Sequence, residues 1–230
     1  MNNKDKFIRN SLWSFITAII SRAGTLVFTI LLARLLTPEK YGLYSIVFSV
    51  AMIIFGFTDL GINQTFTRYI SQALAKNKKK QASYYLLKIK FFLTFGICFL
   101  LVILAYPLSK YVFHNMILFI PLIISALYVF VYSFESFYTQ IFYSLEKVSY
   151  LSFKEFINQA LKIIFILLVV RAFSENNVIS GLFLSFILIS GLLLLFVITY
   201  SKRLAPEIYS QDTSKIDTKR VHKFIFYLTL

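Results

Sequence analysis

The chain has 230 residues, of which 58% are hydrophobic and 15% charged; its mean hydropathy is +0.74. A soluble domain is usually about 45–50% apolar, and here the excess is gathered in long uninterrupted blocks, which excludes an ordinary water-soluble enzyme and points to membrane spans. The net charge of +14 lies largely between the apolar blocks, where it reads as membrane orientation and attraction to anionic lipid headgroups rather than as nucleic-acid binding.

In chain order, six spans are expected: Leu12–Leu35, Gly42–Phe66, Tyr84–Tyr106, Met116–Phe142, Phe153–Phe173 and Val178–Tyr200. Each is long enough, at ~1.5 Å per residue, to cross ~30 Å of hydrocarbon as a helix. Barrel strands would be shorter and would alternate; these blocks do neither. The expected fold class is all-α, a polytopic membrane bundle. The first block is too long for a signal-peptide core, and no small-residue cleavage site follows it. Residues 1–200 are expected to form the six-helix unit, 201–222 a basic cytoplasmic linker, and 223–230 the start of a truncated seventh helix, with a short interfacial tail as the alternative.

Orientation follows from Lys and Arg. The N-terminus, the 76–90 region, the 147–154 region and the tail after span six together hold seventeen, against four (Arg34, Lys40, Lys110 and Arg171) on the opposite side. The positive-inside rule puts the N-terminus in the cytoplasm of a cell-membrane protein. The outer loops are short, and no soluble catalytic domain fits anywhere. Cys98, His114 and His222 assemble neither a nucleophile nor a metal site, so no catalytic residue, metal or cofactor is expected.

Polar residues recur at helical spacing in four spans. Span one carries Ser14, Ser21, Arg22, Thr25 and Thr29. Span two carries Ser45, Ser49, Asp59, Asn63 and Thr67. Span four carries Ser125, Tyr128, Tyr132, Glu135 and Thr139; span five carries Glu155, Gln159 and Lys162. Spans three and six are poor in such residues and read as outer, lipid-facing helices. Arg22 and Lys162 fall near the middles of their spans, while Asp59 and Glu135 fall in the cytoplasmic half. A charge at mid-bilayer costs ~2.5–3.5 kcal/mol on insertion scales, so these four should face the bundle interior or a watery cavity. Asp59 can pair with Arg22 or Arg68, and Glu135 with Lys162, as packing contacts alone. Alternatively Arg22 and Lys162 hold an anionic head group, with Asp59 and Glu135 as charge partners or ion-coupling sites. Tyr128 and Tyr132 could then stack on sugars.

Motifs narrow the choice. Leu32-Ala-Arg-Leu-Leu-Thr-Pro38 with Tyr41-Gly42 resembles the L-A-R-x-L-x-P-x-x-Y-G signature of polysaccharide exporters of the Wzx type. Thr58-Asp-Leu-Gly-Ile62 and Arg68-Tyr-Ile-Ser71 resemble that family's second-helix pattern of Asp, Gly and Arg. The family-signature residues here are Arg34, Tyr41, Gly42, Gly61 and Arg68. The resemblance implies one lobe of a two-lobed transporter that flips polyprenyl-pyrophosphate-linked oligosaccharide across the cytoplasmic membrane by alternating access, for surface polysaccharide biosynthesis. It implies lipid-linked oligosaccharide as substrate, with membrane lipids and polysaccharide-assembly proteins as partners and no nucleic acid. The competing readings are a cation-coupled drug exporter of the same multidrug/oligosaccharidyl-lipid/polysaccharide superfamily, which would use Asp59 and Glu135, and a membrane-embedded glycosyltransferase or polymerase. The latter needs an outer-loop carboxylate, and the outer loops offer only Glu39 and Glu175.

Overall fold

The computed structural model describes residues 3–76, 81–174 and 177–204. They form seven α-helices: α1 (Asn3–Leu35), α2 (Pro38–Asp59), α3 (Ile62–Lys76), α4 (Gln81–Pro107), α5 (Phe119–Ser144), α6 (Val148–Ala172) and α7 (Val178–Leu204), with a π turn at Leu108–Val112 and a 3₁₀ turn at Met116–Leu118 joining α4 to α5. No strand occurs among the described residues. The fold is therefore an all-α bundle. Five segments are long and apolar enough to cross a membrane: Ile8–Leu35, Pro38–Asp59, Tyr85–Val112, Met116–Ser144 and Val178–Leu204. The 25-residue α6 has the length as well, but it carries Lys154, Glu155, Lys162 and Arg171. The expected linker and seventh helix lie almost wholly outside the described residues; only Ser201–Leu204 are seen, and they continue α7.

Local chemistry explains the ends of α2. Thr37 is its N-cap, with the side-chain oxygen accepting from the Lys40 N–H; Pro38 opens the helix and Glu39 sits in the first turn. Each suits a helix N-terminus, where free N–H groups and the dipole favour acceptors and negative charge. Arg34 occupies the last turn of α1 and is exposed, placed to complement carbonyls at the helix C-terminus. Much of the exporter-like signature is thus capping chemistry at an α1–α2 corner.

Span two is not one helix. Leu60 and Gly61 both take left-handed backbone, with φ of 38° and 74°, which ends α2 at Asp59 and restarts the chain as α3. Gly61 tolerates this conformation without a Cβ penalty. The stripe expected from Ser45 to Thr67 is therefore divided between two helices of different direction. The amphipathic α3 turns Ile62, Phe66 and Ile70 onto Leu86, Phe137 and Ile141 of α4 and α5.

The centre of the bundle is α5. It packs against α2, α3, α4 and α7, while α1 packs along α6. The main core joins Leu118, Leu122 and Val129 of α5 to Ile179, Leu182, Phe183 and Ile189 of α7. This reverses the lipid-facing expectation for span six: half of the most apolar window of α7 is buried, against 11% of that of α1. Span three is also less plain than expected, because α4 carries fully buried Lys90 and Thr94.

Candidate functional site

α1 and α2 are joined by a two-residue corner at Leu36–Thr37, yet they touch little beyond it; α1 follows α6, and α2 follows α4 and α5. The two helices diverge, and the faces of α5 and α6 lie between them. Of the charges anticipated from sequence, Glu135, Glu155 and Lys162 converge on α5 and α6.

Glu135 of α5 is 2% exposed, and its Oε1 lies 2.6 Å from Lys154 Nζ of α6. Lys154 also donates to Thr139 Oγ1 at 3.2 Å, one turn along α5. The expected Glu135–Lys162 pair is thereby corrected: the partner is Lys154, which falls at the very edge of the expected span but lies nearly two turns into α6, because the helix starts at Val148. Lys162, half-buried, lies in the electrostatic field of Glu155 and Glu135. Glu155 and Lys162 are seven residues apart and so share a helix face. Glu155 accepts from Gln159 Nε2 at 2.7 Å. The cluster is two carboxylates and two ammoniums, with Tyr132 above it in the field of Glu135 and Glu155.

Gln159 ties the cluster to α1. Its Nε2 donates to the Ser21 carbonyl at 3.4 Å, and a Cβ at Gly24 would lie 2.7 Å from Gln159 Cβ. Only glycine permits this approach. Lower down, Thr17 and Ser152 share a 2.6 Å hydroxyl contact. The pairing of residues 17 with 152 and 21 with 159 makes α1 and α6 parallel. The close contacts of Thr17 with Ser152 and of Gly24 with Gln159 share one offset, which sets Lys162 opposite Val27 and leaves Arg22 roughly 7.5 Å from it along the axis, at 1.5 Å per residue. The two mid-span cations are thus on adjacent helices, a little over one turn apart. Arg22 itself is exposed and forms no ion pair with Asp59, contrary to one expected pairing.

Asp59 does different work. Its Oδ1 accepts the Asn63 N–H at 3.0 Å, capping α3 across the break, and the carboxylate lies in the field of Lys90. Lys90 belongs to no loop: it is fully buried and donates to the Thr58 carbonyl at 2.8 Å. The sequence signal was its position four residues before Thr94 at the head of an apolar run. Of the other signature residues, Tyr41 is half-buried, Arg68 is exposed on α3, and Gly42 has open space around its Cα. Tyr128 is 5% exposed. It packs against Tyr132, Phe183 and Phe186 at ring separations of 5.5, 6.1 and 5.6 Å, so it is a core residue rather than a sugar platform.

The family model described as "Polysaccharide biosynthesis protein" matches residues 7–228, nearly the whole chain. The chain belongs to the polysaccharide biosynthesis protein family. Comparison with curated proteins and with solved structures gave no significant match. Membership, together with the apolar helices, makes this a multi-pass membrane protein of polysaccharide export. For a polysaccharide exporter, the arrangement offers a charged patch that runs from the early turns of α6 to its middle, held by α5 and α6 and flanked by the open side of α1.

Proposed function

We propose that the chain forms one six-spanning lobe of a flippase that carries polyprenyl-pyrophosphate-linked oligosaccharide from the cytoplasmic to the outer leaflet by alternating access. The six spans are α1, α2 continued by α3, α4, α5, α6 and α7. The N-terminus is cytoplasmic. With Lys90 and Lys154 assigned to helices, fifteen Lys and Arg still flank the proposed cytoplasmic side against four opposite, which supports that orientation.

The observation that carries the reading is Arg22. It sits halfway along an apolar helix whose most apolar window is only 11% buried, and it is exposed. A guanidinium facing hydrocarbon at that depth costs several kcal/mol, ~2.5–3.5 on insertion scales. The open face of α1 therefore borders a watery cavity, closed on its far side by a second lobe, rather than lipid. Arg22 and Lys162, a little over one turn apart on adjacent helices, offer two cations to a pyrophosphate, with the polyprenyl tail left in the membrane. Glu135 with Lys154, and Glu155 with Gln159, hold the α6 cations in place and keep the cavity wall from binding anions indiscriminately. Asp59 acts at the edge of the cavity through the α2–α3 break. Substrate passes without covalent change, so the protein is a transporter and not an enzyme, and it works beside polysaccharide-assembly proteins that make and polymerise the glycan.

In cells whose surface polysaccharide depends on this protein, Arg22→Ala abolishes surface glycan at unchanged protein level. Arg22→Lys keeps partial function where a point charge suffices, and less where bidentate phosphate contact matters. Normal surface glycan from Arg22→Ala would remove Arg22 from the substrate path.

A further inference from the structure

The α2–α3 break gathers a set of contacts that substrate binding does not require. α2 ends in carbonyls that have no partner within their own helix, and near the membrane such groups must be satisfied by protein. Lys90 supplies the donor, with its Nζ 2.8 Å from the Thr58 carbonyl. Around it, Thr58 Oγ1 lies 2.9 Å from Ser133 Oγ, and Thr94 Oγ1 lies 3.3 Å from the same hydroxyl. α2, α4 and α5 are thus fastened at one point. Asp59, next in sequence, caps α3 through Asn63.

The charge pattern is specific. The C-terminal end of α2 carries partial negative charge, and Asp59 adds a full one at the same spot. Two negative ends that would repel are both answered by one buried ammonium. Beyond the break, α3 is bound to α5 by a separate ladder: Asn63 Nδ2 to Ser136 Oγ at 3.2 Å, Thr67 Oγ1 to Gln140 Oε1 at 3.0 Å, and Ser144 Oγ to the Thr67 carbonyl at 3.2 Å. Both α2 and α3 are therefore held on α5, and the last turn of α2 is held in addition by the Lys90 contact. Leu60 and Gly61, both at positive φ, turn the chain between the two, and the Asp59 carboxylate bridges the turn to the Asn63 N–H.

We propose that Lys90 is the clamp of the bend at Leu60–Gly61: its ammonium keeps α2 and α3 at one angle, so that the two halves of the broken span move as a unit with α5 between transport states. Lys90 is a positioning residue; it touches no substrate. The purpose of the clamp rests on the transport reading above, but its geometry does not.

The test reads geometry directly. Spin labels at Ile53→Cys on α2 and Ser71→Cys on α3, both exposed positions, are placed in a Cys98→Ser background, and their separation is measured by pulsed electron paramagnetic resonance in lipid nanodiscs. With Lys90 present the distribution is narrow and shorter than the ~27 Å that eighteen residues span in an uninterrupted helix. Lys90→Met broadens it at least twofold and moves it toward ~27 Å, whereas Lys90→Arg, which keeps a charged donor, restores the narrow distribution. Where Lys90→Met does not give monodisperse protein, Asp59→Asn takes its place: it keeps an acceptor for the Asn63 N–H, removes the charge facing Lys90, and broadens the distribution in the same sense. A distribution of wild-type width in Lys90→Met or its replacement, or equal broadening in Lys90→Arg and Lys90→Met, overturns the clamp. A failed flippase assay with the label distances as expected would instead count against the transport reading alone.

Discussion

Replacing Lys154 by Met leaves Glu135 buried at 2% exposure without the ammonium that lies 2.6 Å from it. Removing one partner of a buried pair costs about 3–5 kcal/mol, because the remaining charge is stranded. Lys154 and Glu135 side chains are only 12% and 3% exposed, so solvent screens the pair little. Lys162 is close enough to interact with Glu135 and offsets part of the loss, which places the expected cost near ~3 kcal/mol. For a chain of this size, ~1 kcal/mol corresponds to ~2–4 °C in Tm, so Lys154→Met should melt roughly 6–12 °C below wild type in a fixed detergent. Glu135→Gln strands the Lys154 ammonium instead and should cost somewhat less, because that side chain is 12% exposed against 3% for Glu135. The double variant Glu135→Gln/Lys154→Met should recover most of the stability lost by Lys154→Met, since no stranded charge remains. The assay is thermal unfolding of all four proteins, followed by circular dichroism and by loss of the monodisperse chromatographic peak. Lys154→Met at wild-type Tm, or a double variant no more stable than the worse single, would refute the view that a buried charge pair joins α5 to α6.

Two further outcomes follow from packing. Gly24→Ala drives a methyl into Gln159 and should destabilise the protein by ~1–3 kcal/mol; Gln159→Ala in the same chain should relieve it, and a silent Gly24→Ala would mean that α1 and α6 are not so closely apposed. Tyr128→Leu keeps apolar volume in the α5–α7 core and should retain export with a loss of no more than ~3 kcal/mol in stability; a stable Tyr128→Leu protein that no longer exports would return Tyr128 to the sugar path.

Much of the bundle was legible in sequence because hydrocarbon imposes a length and demands internal hydrogen bonding. The α1–α2 connection was legible as short, but not its helix start: α2 begins at Pro38, four residues ahead of the expected span, because Thr37 caps it and Pro38 and Glu39 suit a first turn. The α2–α3 break was readable only from Gly61 after Asp59, a weak cue within an apolar run. The true partner of Glu135 was not readable at all. Lys154 and Lys162 both lie on α6, and which of them reaches α5 depends on how the two helices cross.

Sequence alone determined that the chain is an all-helical membrane protein, that Arg22 and Lys162 sit near mid-span, and that its motifs resemble those of polysaccharide exporters, because length, charge position and motif are properties of the linear chain. Tertiary structure decided which apolar helix is central and which is peripheral. Lipid tails are as apolar as a protein core, so hydropathy cannot tell the buried face of α7 from the open face of α1. It also decided that Lys90 is buried, because a lysine at the head of an apolar run looks the same whether its ammonium turns to water or, as here, to the Thr58 carbonyl of a neighbouring helix.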